Sequence, residues 1–225
     1  MNIQQVFDWF CQQIQCRTEM MTEDNVRYYW MSSMLAQDND LNHYTLEAPY
    51  DAPLQNKELD LYYADAKEAF CFEIKFHRIH STSAFPHTDA AGALFGDIMR
   101  LQHFPIKGTK MMHRMMLYVT DAEMDAYLNK QSDAFRAKLN TIYNLSIGNS
   151  CTLTFNNTPS DIRKTFLDNV CQSYPPVSLP LVTPDIRLLC RNDMTGLQCP
   201  SFKGQECHIR LYELKTDSKI INPDL

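Results

Sequence analysis

The chain has 225 residues, 44% of them hydrophobic, and its 21 Lys and Arg against 27 Asp and Glu give a formal net charge of −6. That length suits one generous domain with a sizeable core, or one domain with a small appendage. An acidic total disfavours a protein that coats nucleic acid non-specifically, and 6 glycines make a glycine-rich phosphate loop unexpected.

Residues 1–16 carry Val6, Phe7, Phe10 and Ile14 at helical spacing. Thr22, followed by Glu23 and Asp24, has the composition of a helix start. The helix it opens would turn Val26, Tyr29, Trp30 and Met34 inward and end at Asp38-Asn39-Asp40. His43–Ala48 reads as a strand closed by Pro49 and Pro53.

Glu58–Tyr63 and Ala69–Phe76 read as a pair of strands across the polar turn 64–68. A symmetric hairpin centred on Ala66-Lys67 places Asp60 opposite Glu73. Like charges at such positions destabilise a sheet, and a divalent cation would account for them. In the second strand Phe72, Ile74 and Phe76 alternate with Cys71, Glu73 and Lys75, which predicts one apolar face and one chemical face. The plain structural alternative is a solvated strand face with a surface ion pair, worth about 0–1 kcal/mol.

Thr88 can cap a helix to about Phe104, with Leu94, Ile98 and Leu101 on one side. Arg114–Val119 is a further strand. Asp121 opens a helix expected to run, with a break, to Leu145; Cys151–Phe155 is a short strand candidate. A helix is expected from Ser160-Asp161 to about Val170, a proline-rich extended stretch over 173–186, and a late strand near 207–214. A central mixed β-sheet flanked by helices is the expected α/β solution.

The order helix, three strands, helix, strand, together with Asp60 and Glu73-Ile74-Lys75, resembles the PD-(D/E)XK nuclease superfamily, whose fold is called restriction-endonuclease-like. The resemblance covers roughly residues 19–120. It places a nuclease-like core with its N-terminal helices in 1–120, and makes 121–225 a helical and loop-rich extension completing the same domain. The residue before Asp60 is Leu59 rather than the family's proline.

The resemblance implies Mg²⁺ (or Mn²⁺) held by Asp60, Glu73 and the carbonyl of Ile74, with Lys75 as the catalytic lysine and Glu23 as an auxiliary acid. Mg²⁺ suits such a set, because it takes one or two carboxylates and keeps several waters. Glu47 is a further acidic candidate. Arg100, Gln102, Lys107 and Lys110 are candidate nucleic-acid contacts, with His113 and Arg114 in the same basic run and His77, Arg78, His80 and His87 near the site. The implied substrate is DNA, with RNA second, and a homodimer would bring two sites to two strands. The alternative is a catalytically inactive member of the same fold acting as a binding or assembly module.

Other chemistries find no motif. There is no G-x-S-x-G, Walker A or G-x-G-x-x-G. Cys190, Cys199, Cys207 and His208 do not have paired zinc-ligand spacing and read as buried thiols. The first residues lack a basic region followed by an apolar run, and no stretch has the roughly 18 apolar residues of a span. A cytoplasmic protein away from membranes is the expectation.

Overall fold

Asn2 and Thr22 each begin a helix by accepting a backbone hydrogen bond three residues on. In the computed structural model, α1 (Ile3–Cys16) starts with the Asn2 side chain accepting from the Gln5 amide. Helix α2 (Glu23–Leu35) starts with a reciprocal capping box between Thr22 and Asn25. The structure describes residues 1–51, 54, 56–78, 87–105, 111–129, 141–153, 186–202 and 205–215.

Strands β1 (Tyr44–Pro49), β2 (Glu58–Ala64) and β3 (Glu68–His77) form an antiparallel meander. The turn between β2 and β3 is written in Asp65, whose carboxylate accepts from the amides of Lys67 at 2.7 Å and Glu68 at 2.9 Å. Helix α3 (His87–Leu101) then leads to β4 (Met111–Asp121), which runs parallel to β3. Asp121 caps α4 (Ala122–Leu128) by accepting from the Met124 amide. Strands β5 (Ser150–Leu153), β6 (Ile186–Gln198) and β7 (Glu206–Lys215) complete a seven-stranded mixed sheet in the order β1-β2-β3-β4-β7-β6-β5.

Both faces of the sheet are covered. Val6, Phe7, Phe10 and Ile14 of α1 and Val26, Trp30 and Met34 of α2 pack on Leu61, Phe72, Ile74, Leu117, Ile209 and Leu211. Leu94, Phe95 and Ile98 of α3 and Met124 and Leu128 of α4 pack on Cys71, Met116, Tyr118 and Tyr212 on the other side. The side of β3 expected to be chemical therefore also lies under a helix. Tyr29, expected inward, is half-buried. No described helix is long and apolar enough to cross a membrane.

The stretch after 121 holds more strand than expected. β7 lies beside β4 in the middle of the sheet, and β6 runs for 13 residues. Its run Asn192-Asp193-Met194-Thr195-Gly196 has turn composition, but it forms bulged strand. Register shifts fall between Cys190 and Asn192 and between Met194 and Leu197, with Gly196 at φ +68. The expected helix over 160–170 and most of the proline-rich stretch lie outside the described residues.

Candidate active site

The pairing of β2 with β3 runs from Ala64↔Ala69 to Leu61↔Phe72. Its centre is Ala66-Lys67, and continuing it one step sets Asp60 opposite Glu73. At that step β2 stops alternating: Leu61 packs under α1 and α2, whereas Leu59 packs on the α3 side. On β1 the facing residue, Glu47, has a left-handed φ of 51. Past the ladder, Asp60 Oδ2 accepts from the Ile74 amide at 2.6 Å. The twist thus directs the Asp60 carboxylate onto the backbone between Glu73 and Lys75.

Four carboxylates and three cations meet there. Arg27 Nη2 of α2 lies 2.7 Å from Asp60 Oδ1 and 3.0 Å from Glu23 Oε1. Glu23 Oε2 accepts from the Phe76 amide at 3.2 Å and lies 3.6 Å from Lys75 Nζ. Lys75 Nζ reaches Asp97 Oδ2 of α3 at 2.9 Å. Arg100 Nη2 bridges Asp97 Oδ1 at 2.6 Å and Glu73 Oε1 at 3.4 Å. The Tyr50 hydroxyl donates to the same Glu73 oxygen at 2.7 Å. Helices from both faces of the sheet therefore grip one strand end.

Burial raises the Asp60 carboxyl to about 6, even though Arg27, the Ile74 amide and Lys75 pull it down; Glu23 adds to the rise. Glu73 is held well above the usual carboxylate range by burial and by the charge of Asp97, against the pull of Arg100, and Asp60 pushes the same way. Burial opposes the charge on Lys75, but Asp97 and Glu23 outweigh it and keep the ammonium charged. His77, two residues along β3, is pushed down to about 3 by burial and by Lys75. It stays a neutral imidazole, with Nδ1 3.0 Å from the Tyr118 hydroxyl. The two central carboxyls are thus raised chiefly by burial, against the pull of the neighbouring cations, and such perturbed groups make the cluster a candidate site.

No protein-family model, curated protein or solved structure matches this chain.

Of the residues singled out in the sequence, Asp60, Glu73, Lys75 and Glu23 come together. Arg100 and Gln102 are buried, Arg100 against two carboxylates and Gln102 with an Nε2 that has no hydrogen-bond partner. Neither lies on a solvated helix face, and Arg100 reaches the site through Glu73 and Asp97. Lys107, Lys110 and His80 lie outside the described residues. Arg114 is buried and donates to the carbonyls of Leu101 and Phe104, closing the C-terminal end of α3. His113 turns to Glu213 at the opposite end of β4. His87 lies by Glu123, Arg78 lies over the Phe202 ring, and Glu47 is exposed. Cys199 and Cys207 are buried in the α1–α2 layer and Cys190 in the other.

Arg27, Tyr50 and Asp97 join the site without having been singled out. Asp97 had a signal: it is a carboxylate among Leu94, Phe95, Ile98 and Met99, all of them buried. Arg27 lies four residues after Glu23, a visible helix pair. Tyr50 follows the β1 strand and carries no pattern of its own.

Asp60 and Glu73 supply hard oxygen donors, the type that a divalent cation held by one or two carboxylates and water takes. Among the described residues no three His, Cys, Asp or Glu side chains converge to hold a metal by themselves.

Proposed function

We propose that the chain is a metal-dependent nuclease-like hydrolase of phosphodiester bonds, acting on DNA, with RNA as the second substrate class. The observation that carries this reading is the pair of buried carboxyls, Asp60 and Glu73, raised in pKa chiefly by burial, with the Lys75 ammonium held by Asp97 and Glu23 in the same cluster. The order α2-β1-β2-β3-α3-β4, with Asp60 on one strand and Glu73-Ile74-Lys75 on the next, supports the restriction-endonuclease-like resemblance.

Asp60, Glu73 and the Ile74 carbonyl would hold Mg²⁺ or Mn²⁺. When bound, the ion supplies Lewis-acid polarisation of the phosphoryl group and a water of lowered pKa. The protein's own part is positioning. Asp97 and Glu23 hold the Lys75 ammonium toward the reacting phosphate, where it orients the attacking water or offsets charge on the phosphoryl oxygens. Tyr50 and Arg100 fix the Glu73 carboxylate. As the water oxygen bonds to phosphorus, the ester P–O bond breaks, and the products are a phosphomonoester and a hydroxyl.

A second reading is a non-catalytic binding or assembly module. The observation that favours it is that each proposed metal carboxylate already has an arginine, Arg27 on Asp60 and Arg100 on Glu73. The test is hydrolysis of single- and double-stranded DNA and RNA in Mg²⁺ or Mn²⁺ by wild type and Lys75→Ala. Cleavage by wild type that is lost in the variant supports the enzyme. Equal cleavage by both removes Lys75 from the chemistry, and retention of nucleic acid with no cleavage supports the module.

A further inference from the structure

Of the three cations at the site, Arg27 is the most exposed. Arg100 is 10% exposed in its side chain and sits between Asp97 and Glu73. Lys75 is 19% exposed and sits between Asp97 and Glu23. Arg27, on α2, is 29% exposed. One of its nitrogens, Nη2, serves both Asp60 and Glu23, whereas its Nε is buried without a hydrogen-bond partner. Its other terminal nitrogen, Nη1, already lies 3.3 Å from Asp24 Oδ1, a carboxylate with 73% of its side chain exposed. Arg27 thus touches Asp60, Glu23 and Asp24 at once, and the Asp24 contact is the one that does not depend on Asp60.

Asp60 Oδ1, the oxygen that Arg27 takes, is also the one left over after Oδ2 accepts from Ile74. Of the two oxygens, Oδ1 is the less engaged by the backbone, so a cation seated there meets the Arg27 guanidinium. Guanidinium and divalent cation then compete for the same counter-charge position at Asp60. An arginine released at the mouth of the site is also well shaped for bidentate contact with a phosphodiester.

Resting on the nuclease reading, we propose that Arg27 is a displaceable counter-ion. It neutralises Asp60 and Glu23 while the site is empty. A divalent cation displaces it from Asp60 while Asp24 keeps hold of it, and the freed side of its guanidinium grips the substrate's backbone phosphate. Arg27 thereby couples metal occupancy to nucleic-acid binding.

The test is Mn²⁺ titration calorimetry at pH 8 on wild type, Arg27→Gln, Asp24→Asn and Asp60→Asn, each checked for folding by circular dichroism. It is paired with fluorescence anisotropy of a labelled DNA oligonucleotide in Mn²⁺, with Lys75→Ala present throughout so that the probe stays intact. Arg27→Gln is expected to bind Mn²⁺ about tenfold more tightly, the size of a lost competitor worth about 1.4 kcal/mol, and to bind the oligonucleotide more weakly. Asp24→Asn, at an exposed position with little bearing on folding, is expected to weaken Mn²⁺ binding by removing the contact that keeps hold of the displaced arginine. A purely structural arginine does not move these two affinities in opposite directions. Wild-type binding with unchanged or weaker binding by Arg27→Gln overturns the role of Arg27 and leaves the nuclease reading standing. If neither wild type nor Arg27→Gln binds Mn²⁺, the nuclease reading falls and the coupling with it.

Discussion

Glu73 and Glu213 are both buried carboxylates on the central sheet, 2% and 3% exposed, yet they are pushed in opposite directions. Glu213 lies two strands away on the opposite face of the sheet, where His113 Nδ1 at 2.8 Å, Lys215 at 2.8 Å and Arg191 at 3.5 Å surround it. Burial would raise its pKa, but His113 and Lys215 bring it down to about 2. Glu73 has Arg100 at 3.4 Å and a tyrosine hydroxyl, and it faces the charges of Asp97 and Asp60. Glu213 is thus a carboxylate offset by the cations around it, whereas Glu73 is more deeply buried and faces further carboxylates. Deep burial and like charge act together on Glu73, and it is on that combination that the proposed ligand site rests.

The largest expected effect falls on the Glu73 end. Lys75→Ala should lower Mg²⁺-dependent cleavage by at least about 10²-fold, the scale of removing one electrostatic stabiliser. Initial rates at matched protein folding check this. Retained activity would erase the functional half of the contrast.

Glu213→Gln should cost about 1.5–3 kcal/mol of stability, the range for hydrogen bonds to charged groups, and leave cleavage unchanged. Its pH dependence has a fixed sign. The folded pKa is depressed, so the stabilisation is present above the ordinary glutamate value of about 4.5 and is lost as pH falls toward about 2. Urea titrations of wild type and variant should therefore converge in acid and separate as the pH rises to neutral. Convergence at pH 7 instead would show that the Glu213 cluster contributes nothing.

Glu73→Gln should move stability the other way, raising it by up to about 1 kcal/mol at pH 8 while abolishing Mn²⁺ binding. A raised folded pKa means that stability is greatest while the group is protonated and declines as pH climbs through that pKa. A strongly destabilised Glu73→Gln would make the two glutamates alike and undo the comparison.

The smallest effect concerns Asp60. Its pKa near 6 makes Mn²⁺ affinity weaken as the solution is taken from pH 7 to pH 5, because the carboxyl must lose its proton to bind. Calorimetry across that interval reads this directly, and affinity flat in pH would point to another seat.

The Glu73 end was the more legible in sequence, for a local reason. A short hairpin fixes its own register, so counting from the turn gave the pairing that holds from Ala64↔Ala69 to Leu61↔Phe72, one step short of Asp60 and Glu73. Capping residues gave α2 in the same way. What could not be counted was distance between elements. Asp97 reaches Lys75 because α3 folds back over β3, and Arg27 reaches Asp60 because the alternation of β2 breaks at that residue. The Glu213 end was hidden altogether. Its partners come from β4, β6 and β7, and β6 disguises itself with turn residues that serve as bulges. Glu213 itself looked like one more charge in an alternating strand.

The most direct measurement is the anomalous scattering of a crystal soaked in Mn²⁺. The account predicts one peak between the carboxylates of Asp60 and Glu73, with the Lys75 ammonium beside it and the Arg27 guanidinium turned away from Asp60. Saturating Mn²⁺ with no peak there, and with Arg27 and Arg100 still seated on the two carboxylates, would contradict it.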